Sequence, residues 1–293
     1  MSAPLRVLVT GANGQVGTAL LATAPVAWIV RGAGHAELDI TRADVVDRCV
    51  ADFRPDVVIN AAAYTAVDRA ETEREIAARI NVDGAANLAR AAAAANAKVI
   101  HVSTDFVFDG QRSSPYRPDD EPAPLCVYGA TKLAGERAVL AILPDRATIV
   151  RTAWVYAATG QNFVRTMLRL MRERGQVRVV ADQVGTPTSA GSLAEVLWQF
   201  AARRDLSGTF HWTDAGVASW YDLAVAVAEE GTAAGVIAAR PVVEPITTQD
   251  YPTAARRPAY SVLDKRSTLA ALGVRGVHWR ERLRTVIQEL SRA

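Results

Sequence analysis

The sequence predicts an α/β chain: a doubly wound parallel sheet, followed by a smaller mixed α/β C-terminal domain. Three observations carry this. Val7-Leu8-Val9 is a short apolar strand that runs straight into Gly11, Gly14 and Gly17, and then into a helix-like stretch stopped by Pro25. From there to Arg151, apolar runs of strand length alternate with helical stretches, the pattern of successive βαβ units. Beyond Thr152 the alternation loosens, so the expected division is 1–152 and 153–293, with segments of the second part returning to the sheet.

Size and composition narrow the classes. The chain has 293 residues, half of them hydrophobic, enough for a sizeable core without disulfide or metal staples. It carries 33 basic and 31 acidic residues, a net charge of +2, which argues against an electrostatic nucleic-acid binder. Two cysteines, Cys49 and Cys126, are too few for a disulfide framework, and a reducing cytoplasm is the expected setting. Met1-Ser2-Ala3-Pro4 does not open a signal peptide, and no uncharged apolar run of about 18 residues occurs, so no membrane span is expected.

In the first βα unit, Gly11, Gly14 and Gly17 form a GxxGxxG. The first glycine permits a tight turn, the second lets backbone approach a pyrophosphate, and the third lets helix and strand pack closely. The helix N-terminus adds N–H groups and a favourable dipole for phosphates. This is the setting of a Rossmann-type dinucleotide site. The second strand is expected over Val26–Val30, followed by Arg31 at the position where an acid would grip the ribose of NAD. An arginine there points instead to the 2′-phosphate of NADP, unless it is only a solvated strand-end residue. Asp39, next to Ile40, is either an acceptor for the adenine amino group or a turn acid. Thr41 and Asp44 read as an N-cap pair for a helix to about Phe53.

Strand Val57–Asn60 ends in Ala61-Ala62-Ala63-Tyr64-Thr65, where small residues let a flat ligand lie on backbone. Glu71–Ala95 is strongly helical. Strand Val99–Val102 contains His101, read as packed, and delivers Ser103-Thr104-Asp105. A long proline-punctuated loop to Val127 follows, of the kind that is usually functional. Cys126 is read as a thiol without a special role.

Tyr128 and Lys132 open the next helix and share one face of it. A phenol beside an ammonium suits proton transfer. The cation is expected to lower the tyrosine from its ordinary pKa of ~10 and make the hydroxyl a usable acid. Thr104 brings a second hydroxyl for a substrate oxygen. After strand Thr148–Arg151, Trp154 and Tyr156 either stack on a ligand ring or belong to the core. Helices are expected over 161–174 and 189–204, and Ser219-x-x-Asp222 reads as a cap for another. Arg256-Arg257-Pro258 offers guanidinium groups to a substrate phosphate.

Taken together, the glycine motif, Asn60–Asp68, Ser103–Gly110, Tyr128–Lys132, Arg151–Tyr156, Asp182–Thr188 and Arg257–Asp264 resemble, in this order, the dTDP-4-dehydrorhamnose reductase family of the extended short-chain dehydrogenase/reductase superfamily. The resemblance covers nearly the whole chain. Ser-Thr-Asp-Phe-Val-Phe-Asp-Gly and Arg-Thr-Ala-Trp-Val-Tyr narrow it to this family; Phe106 stands where many relatives have tyrosine. It implies NADPH-dependent reduction, with NADH also used in the family, of the C4 ketone of a dTDP-4-keto-6-deoxy sugar to dTDP-L-rhamnose. It places the catalytic roles on Thr104, Tyr128 and Lys132, and sugar-nucleotide contacts on Asp105 and Trp154, beside the Arg257 read above. The expected cofactor contacts are Gly11, Asn13, Gly14, Gln15, Val16, Gly17, Arg31, Asp39, Ile40, Ala62, Ala63, Tyr64, Tyr128 and Lys132. Some relatives dimerise around magnesium, for which no matching ligands are placed here, so a monomer or a homodimer is expected and no metal site. The rival readings are another 4-ketosugar reductase, an epimerase that recycles bound NAD, and a non-catalytic NADP-binding subunit.

Overall fold

The computed structural model describes residues 4–292. Six parallel strands form the central sheet. Five of them are β1 (Arg6–Thr10), β2 (Ile29–Ala33), β3 (Val57–Asn60), β4 (Lys98–Thr104) and β5 (Ala147–Thr152). The sixth, Gly208–His211, adds to the outer edge of β5, and the order across the sheet is Gly208–His211, β5, β4, β3, β1, β2. Strands β3 and β5 are buried along their whole length. Both faces of such a sheet are covered, so its central strands read as continuous apolar runs.

Alternate residues of each strand serve different cores. Val7, Val9, Val57, Ile59, Ile100 and Val150 pack under helix α1 (Gln15–Ala22) and helix Ala190–Ala202. Leu8, Val58, Val99 and Ile149 pack under α2 (Ala43–Phe53), helix Ala85–Ala94 and helix Val127–Ile142. The doubly wound expectation is met.

The second strand differs from its expected position. Pro25–Trp28 is a turn, closed by the Trp28 N–H donating to the Pro25 carbonyl at 3.0 Å. Val26 stands in solvent and Trp28 packs edge-on against Trp198. Pairing begins at Arg6 with Ile29 and ends at Thr10 with Ala33. The expected helix over 71–95 is also interrupted: Arg79–Gly84 forms a π-helical turn between Arg74–Ala78 and Ala85–Ala94. That turn sets the Asn81 backbone carbonyl directly against Gly135 of the Tyr128 helix, where a Cβ would collide with it.

A second core lies beyond the sheet. Helices Phe163–Arg174, Trp220–Ala233 and Trp279–Arg292 gather around the parallel pair Gln176–Val180 and Val242–Ile246. Asn162 caps the first helix through Arg165 N, and Ser219 and Asp222 form the expected box on the second. Among the described residues no helix is long and apolar enough to cross a membrane.

Candidate active site

A cleft of about 770 Å³ opens at the C-terminal ends of the strands and is bounded by residues of both cores. Open α/β sheets place their ligands there. One end is the glycine turn. Gly11 adopts φ +68°, and a Cβ on it would come within 2.6 Å of Ala62 N. A Cβ on Gly17 would strike the Gly11 carbonyl. Gly14 meets only that carbonyl, at 3.3 Å, and caps α1 with no side chain bonded to the first-turn N–H groups. A pyrophosphate therefore fits: two glycines fold the turn against β3, and the third leaves the helix N-terminus open.

Gly11, Asn13, Gly14, Gln15, Val16, Asp39, Ile40, Ala62 and Ala63 all line the cleft. Asp39 Oδ1 accepts from Thr41 N at 3.0 Å and Thr41 Oγ1 at 2.8 Å, which ties it into a turn and leaves its second oxygen free for a ligand. Gly17 lies beneath the turn as packing. Tyr64 is anchored at both ends: its hydroxyl donates to Glu73 and its backbone N–H to Asn81 Oδ1.

Because β2 runs to Ala33, Arg31 sits mid-strand on the sheet edge, exposed and over the Phe53 ring at 5.9 Å. The strand-end residue that does line the cleft is His35. The three-residue displacement of the strand concealed it.

At the other end, helix Val127–Ile142 presents Tyr128 and Lys132. Cys126 has a structural use after all: it caps this helix, its sulfur accepting from Gly129 N at 3.5 Å. Thr104 ends β4. Its hydroxyl donates to Asp105 Oδ1 at 3.1 Å and accepts from Phe106 N at 3.2 Å. Asp105 Oδ2, Ser103 Oγ and Thr152 Oγ1 are buried beside the cleft without a protein partner. Unpaired buried polar atoms call for a ligand or water.

The electrostatics correct a second expectation. Tyr128 is pushed above the ordinary tyrosine range by burial, with the charges of Asp105 and Cys126 in support and the Thr104 hydroxyl opposing. Lys132 is turned to other partners: its Nζ donates to the Val102 carbonyl at 2.7 Å and meets His101 Nε2 at 3.3 Å. Burial lowers Lys132 to about 8, with Glu136 working the other way. Burial raises Asp105 to about 6, although Ser261 and Thr104 oppose the rise. The site thus holds Tyr128 firmly as a phenol.

The second core contributes Trp154 and Trp220, stacked at 3.6 Å with planes 6° apart. Trp154 adopts φ +50°, uncommon for a bulky residue, and lies over Gly185, where a Cβ would come within 2.7 Å of the ring. Trp220 Nε1 donates to Gln183 Oε1 at 3.2 Å. The indole of Trp154 is half-buried, so it both packs and lines the cleft, whereas Tyr156 is core. Trp220 was not anticipated as a cleft residue; the signal for it was the Ser219 cap, which fixes where its helix starts. Arg257 reaches the cleft, but its guanidinium is paired with Asp68 at 2.7 Å. Among the described residues no cluster of three or more His, Cys, Asp or Glu side chains is placed to hold a metal.

A family model described as the RmlD substrate binding domain matches residues 5–292. The chain belongs to this family. Across the family's curated members, a dTDP-4-dehydrorhamnose reductase of Aggregatibacter actinomycetemcomitans is 44% identical over 96% of this chain and 98% of that protein. One from Mycolicibacterium smegmatis is 45% identical over 96% and 85%. A dTDP-4-dehydrorhamnose reductase of Bacillus anthracis, solved in complex with NADP, superposes with a TM-score of 0.91 at 37% identity, covering 98% of this chain and 99% of that one. A UDP-glucose 4-epimerase of Thermus thermophilus in complex with NAD shares the fold at TM-score 0.82 and 21% identity.

Proposed function

We propose that the chain reduces the C4 ketone of dTDP-4-dehydro-L-rhamnose to give dTDP-L-rhamnose, with NADPH as reductant. The observation that carries this is the convergence of Thr104, Tyr128 and Lys132 with the open helix N-terminus of the glycine turn in one cleft, in a chain of this family. NADPH, when bound, supplies the hydride to the ketone carbon. Gly11–Val16 would hold its pyrophosphate, and Ala62 and Ala63 would give it a flat bed. The Thr104 hydroxyl turns its proton from Asp105 Oδ1 to the ketone oxygen, so the charge that develops there meets a hydrogen-bond donor. Tyr128 gives its phenolic proton to the same oxygen as it becomes an alkoxide. An alkoxide is basic enough to take that proton even from a tyrosine held above its ordinary range. Trp154 and Asp105 border the space left for the sugar nucleotide. We place the enzyme in the cytoplasm, as a monomer or homodimer without a nucleic-acid partner, in keeping with its charge balance and two free cysteines.

The test follows NADPH consumption against a panel of dTDP-4-keto sugars and identifies the product's stereochemistry by NMR. Stoichiometric oxidation with dTDP-L-rhamnose as product is expected. Turnover of the sugar without net NADPH consumption would replace this reading with an epimerase.

A further inference from the structure

Behind Lys132 lies a buried line of side chains that the reaction above does not use. Asn60 ends β3, and His101 lies within β4 directly opposite it. The Asn60 carboxamide is oriented by a group with no freedom: Ala62 N–H donates to its Oδ1 at 3.1 Å, and Thr10 Oγ1 donates to the same atom at 2.8 Å. An amide nitrogen cannot accept, so the oxygen must occupy that position. Asn60 Nδ2 therefore faces His101 Nδ1, at 3.0 Å, as a donor. A neutral imidazole that accepts at Nδ1 carries its proton on Nε2. That N–H points at Lys132 Nζ, 3.3 Å away.

We propose that Asn60 and His101 are positioning residues for Lys132: the ring is locked with an N–H toward the amine, which denies the ammonium an acceptor and gives the free amine a donor. An ammonium here has Val102 O to bond but only an N–H dipole at His101. A free amine fills both positions, taking Nε2–H on its lone pair, donating to Val102 O, and keeping one N–H for the cleft. When Tyr128 has given its proton to substrate oxygen, solvent in the cleft relays a proton from Lys132 Nζ to the phenolate, since no direct contact joins the two side chains; the amine left behind is the form the lock favours, and solvent later restores its proton.

The surroundings support this. Burial, and then the Lys132 charge, hold His101 well below its ordinary range, so the ring is neutral. Besides His101, the titratable group that acts on Lys132 is Glu136 on its own helix, while Asp105 and Cys126 bear on Tyr128. Glu136 is already engaged by Arg151 of β5 at 2.7 Å. In the π-helical turn Arg79 and Asp83 are exposed, and the buried polar side chain is neutral Asn81, which bonds Thr131. None of these presents an acceptor to Lys132 in place of His101.

The proposal rests on the reductase reading for its use in turnover, but not for its primary test. The chain has only three lysines, Lys98, Lys132 and Lys265. Selectively lysine-labelled, ligand-free protein therefore gives a side-chain NMR titration with three resolvable curves, Lys132 being assigned by its loss in Lys132→Met. The wild-type Lys132 midpoint is expected well below the ordinary ~10.4. His101→Phe removes the N–H and adds no charge; Asn60→Ala frees the ring to turn its other tautomer to the amine. Both are expected to raise the Lys132 midpoint by about one pH unit, with Lys98 and Lys265 unmoved as controls of folding. A midpoint that falls or stays in His101→Phe overturns the proposal, since the ring was then accepting from the ammonium or irrelevant to it. A rise in Asn60→Ala alone overturns it too, because entry of water would be the cause. If Asn60→Ala fails to fold, His101→Phe decides alone. In turnover, the alkaline limb of the kcat profile should move with the midpoint. Absence of any NADPH oxidation by wild type would sink the reductase reading while leaving the titration to judge the lock.

Discussion

Replacing Asp105 by asparagine should stabilise the fold while impairing the enzyme. The carboxyl is 1% exposed, and only one of its oxygens has a protein hydrogen-bond partner. Burial raises its pKa from 3.8 to about 6, so the fold prefers it protonated. The favourable contribution of the protonated carboxyl is complete below 3.8 and is lost as pH rises through about 6. At ~1.4 kcal/mol per pKa unit, the ionised carboxylate costs ~3 kcal/mol at pH 7.5. Asparagine copies the shape of the neutral acid, and its amide must find a new acceptor, so the net gain should be ~1–3 kcal/mol. At ~2–4 °C per kcal/mol for a chain of this size, melting should rise by several degrees at pH 7.5. The gain should fall by about half near pH 5, where much of the wild-type population is protonated. Burial also raises Asp214 to about 6, which tilts the stability of both proteins equally, so the difference between them isolates Asp105. Thermal unfolding at a series of pH values makes the measurement. A variant that melts lower at pH 7.5, or a gain that does not change with pH, would refute the reasoning. Loss of sugar-nucleotide affinity alongside the gain would show that the strained charge serves the ligand.

Tyr128→Phe keeps the ring against Phe106, 5.6 Å away, and removes only the proton donor; kcat should fall by ~10²–10⁴ with NADPH affinity retained, measured by steady-state kinetics and direct binding. Trp154→Ala should raise KM for the sugar nucleotide more than for NADPH, and a large fall in melting temperature without a KM change would assign the indole to packing alone. His35→Ala should lower the preference for NADPH over NADH, because His35 lines the cleft at the end of β2; kinetics with both cofactors make the measurement. Glu136→Gln should cost ~3–5 kcal/mol in urea unfolding, because it leaves Arg151, whose side chain is 5% exposed, without its counter-charge.

What was legible in the sequence was what chemistry writes locally. The glycine spacing is local because a turn and a helix N-terminus lie within a few residues, and Tyr128 and Lys132 share a face because helix geometry puts them there. The second strand was not legible. Val26-Ala27-Trp28 is as apolar as a strand, yet Pro25 closes a turn on it and Trp28 is spent on Trp198. Only the pairing of Ile29 with Arg6 reveals where the strand begins, and that register comes from the sheet. The count from Gly11 to Arg31 presumes where the strand ends, so it passed over His35, which lines the cleft. The sugar side was partly hidden for a similar reason: Trp154 meets Trp220 across sixty-six positions of chain, and no local pattern couples them.

The protonation state of the site lies at the far end of this scale. Four residues of helix argue that Lys132 should stabilise a Tyr128 phenolate, and for an isolated helix that argument is sound. In the fold, the amine is claimed by the Val102 carbonyl and faced by His101, which answers to Asn60, which answers to the Ala62 N–H. Each link is an ordinary hydrogen bond, but their direction is fixed from the backbone end, where a peptide N–H has no alternative role. The loop that carries Ala62 also lines the cleft. Movement of that loop on binding would therefore act on Asn60 before it acts on Lys132, and the readiness of the lysine to give up its proton would depend on whether the cofactor is in place.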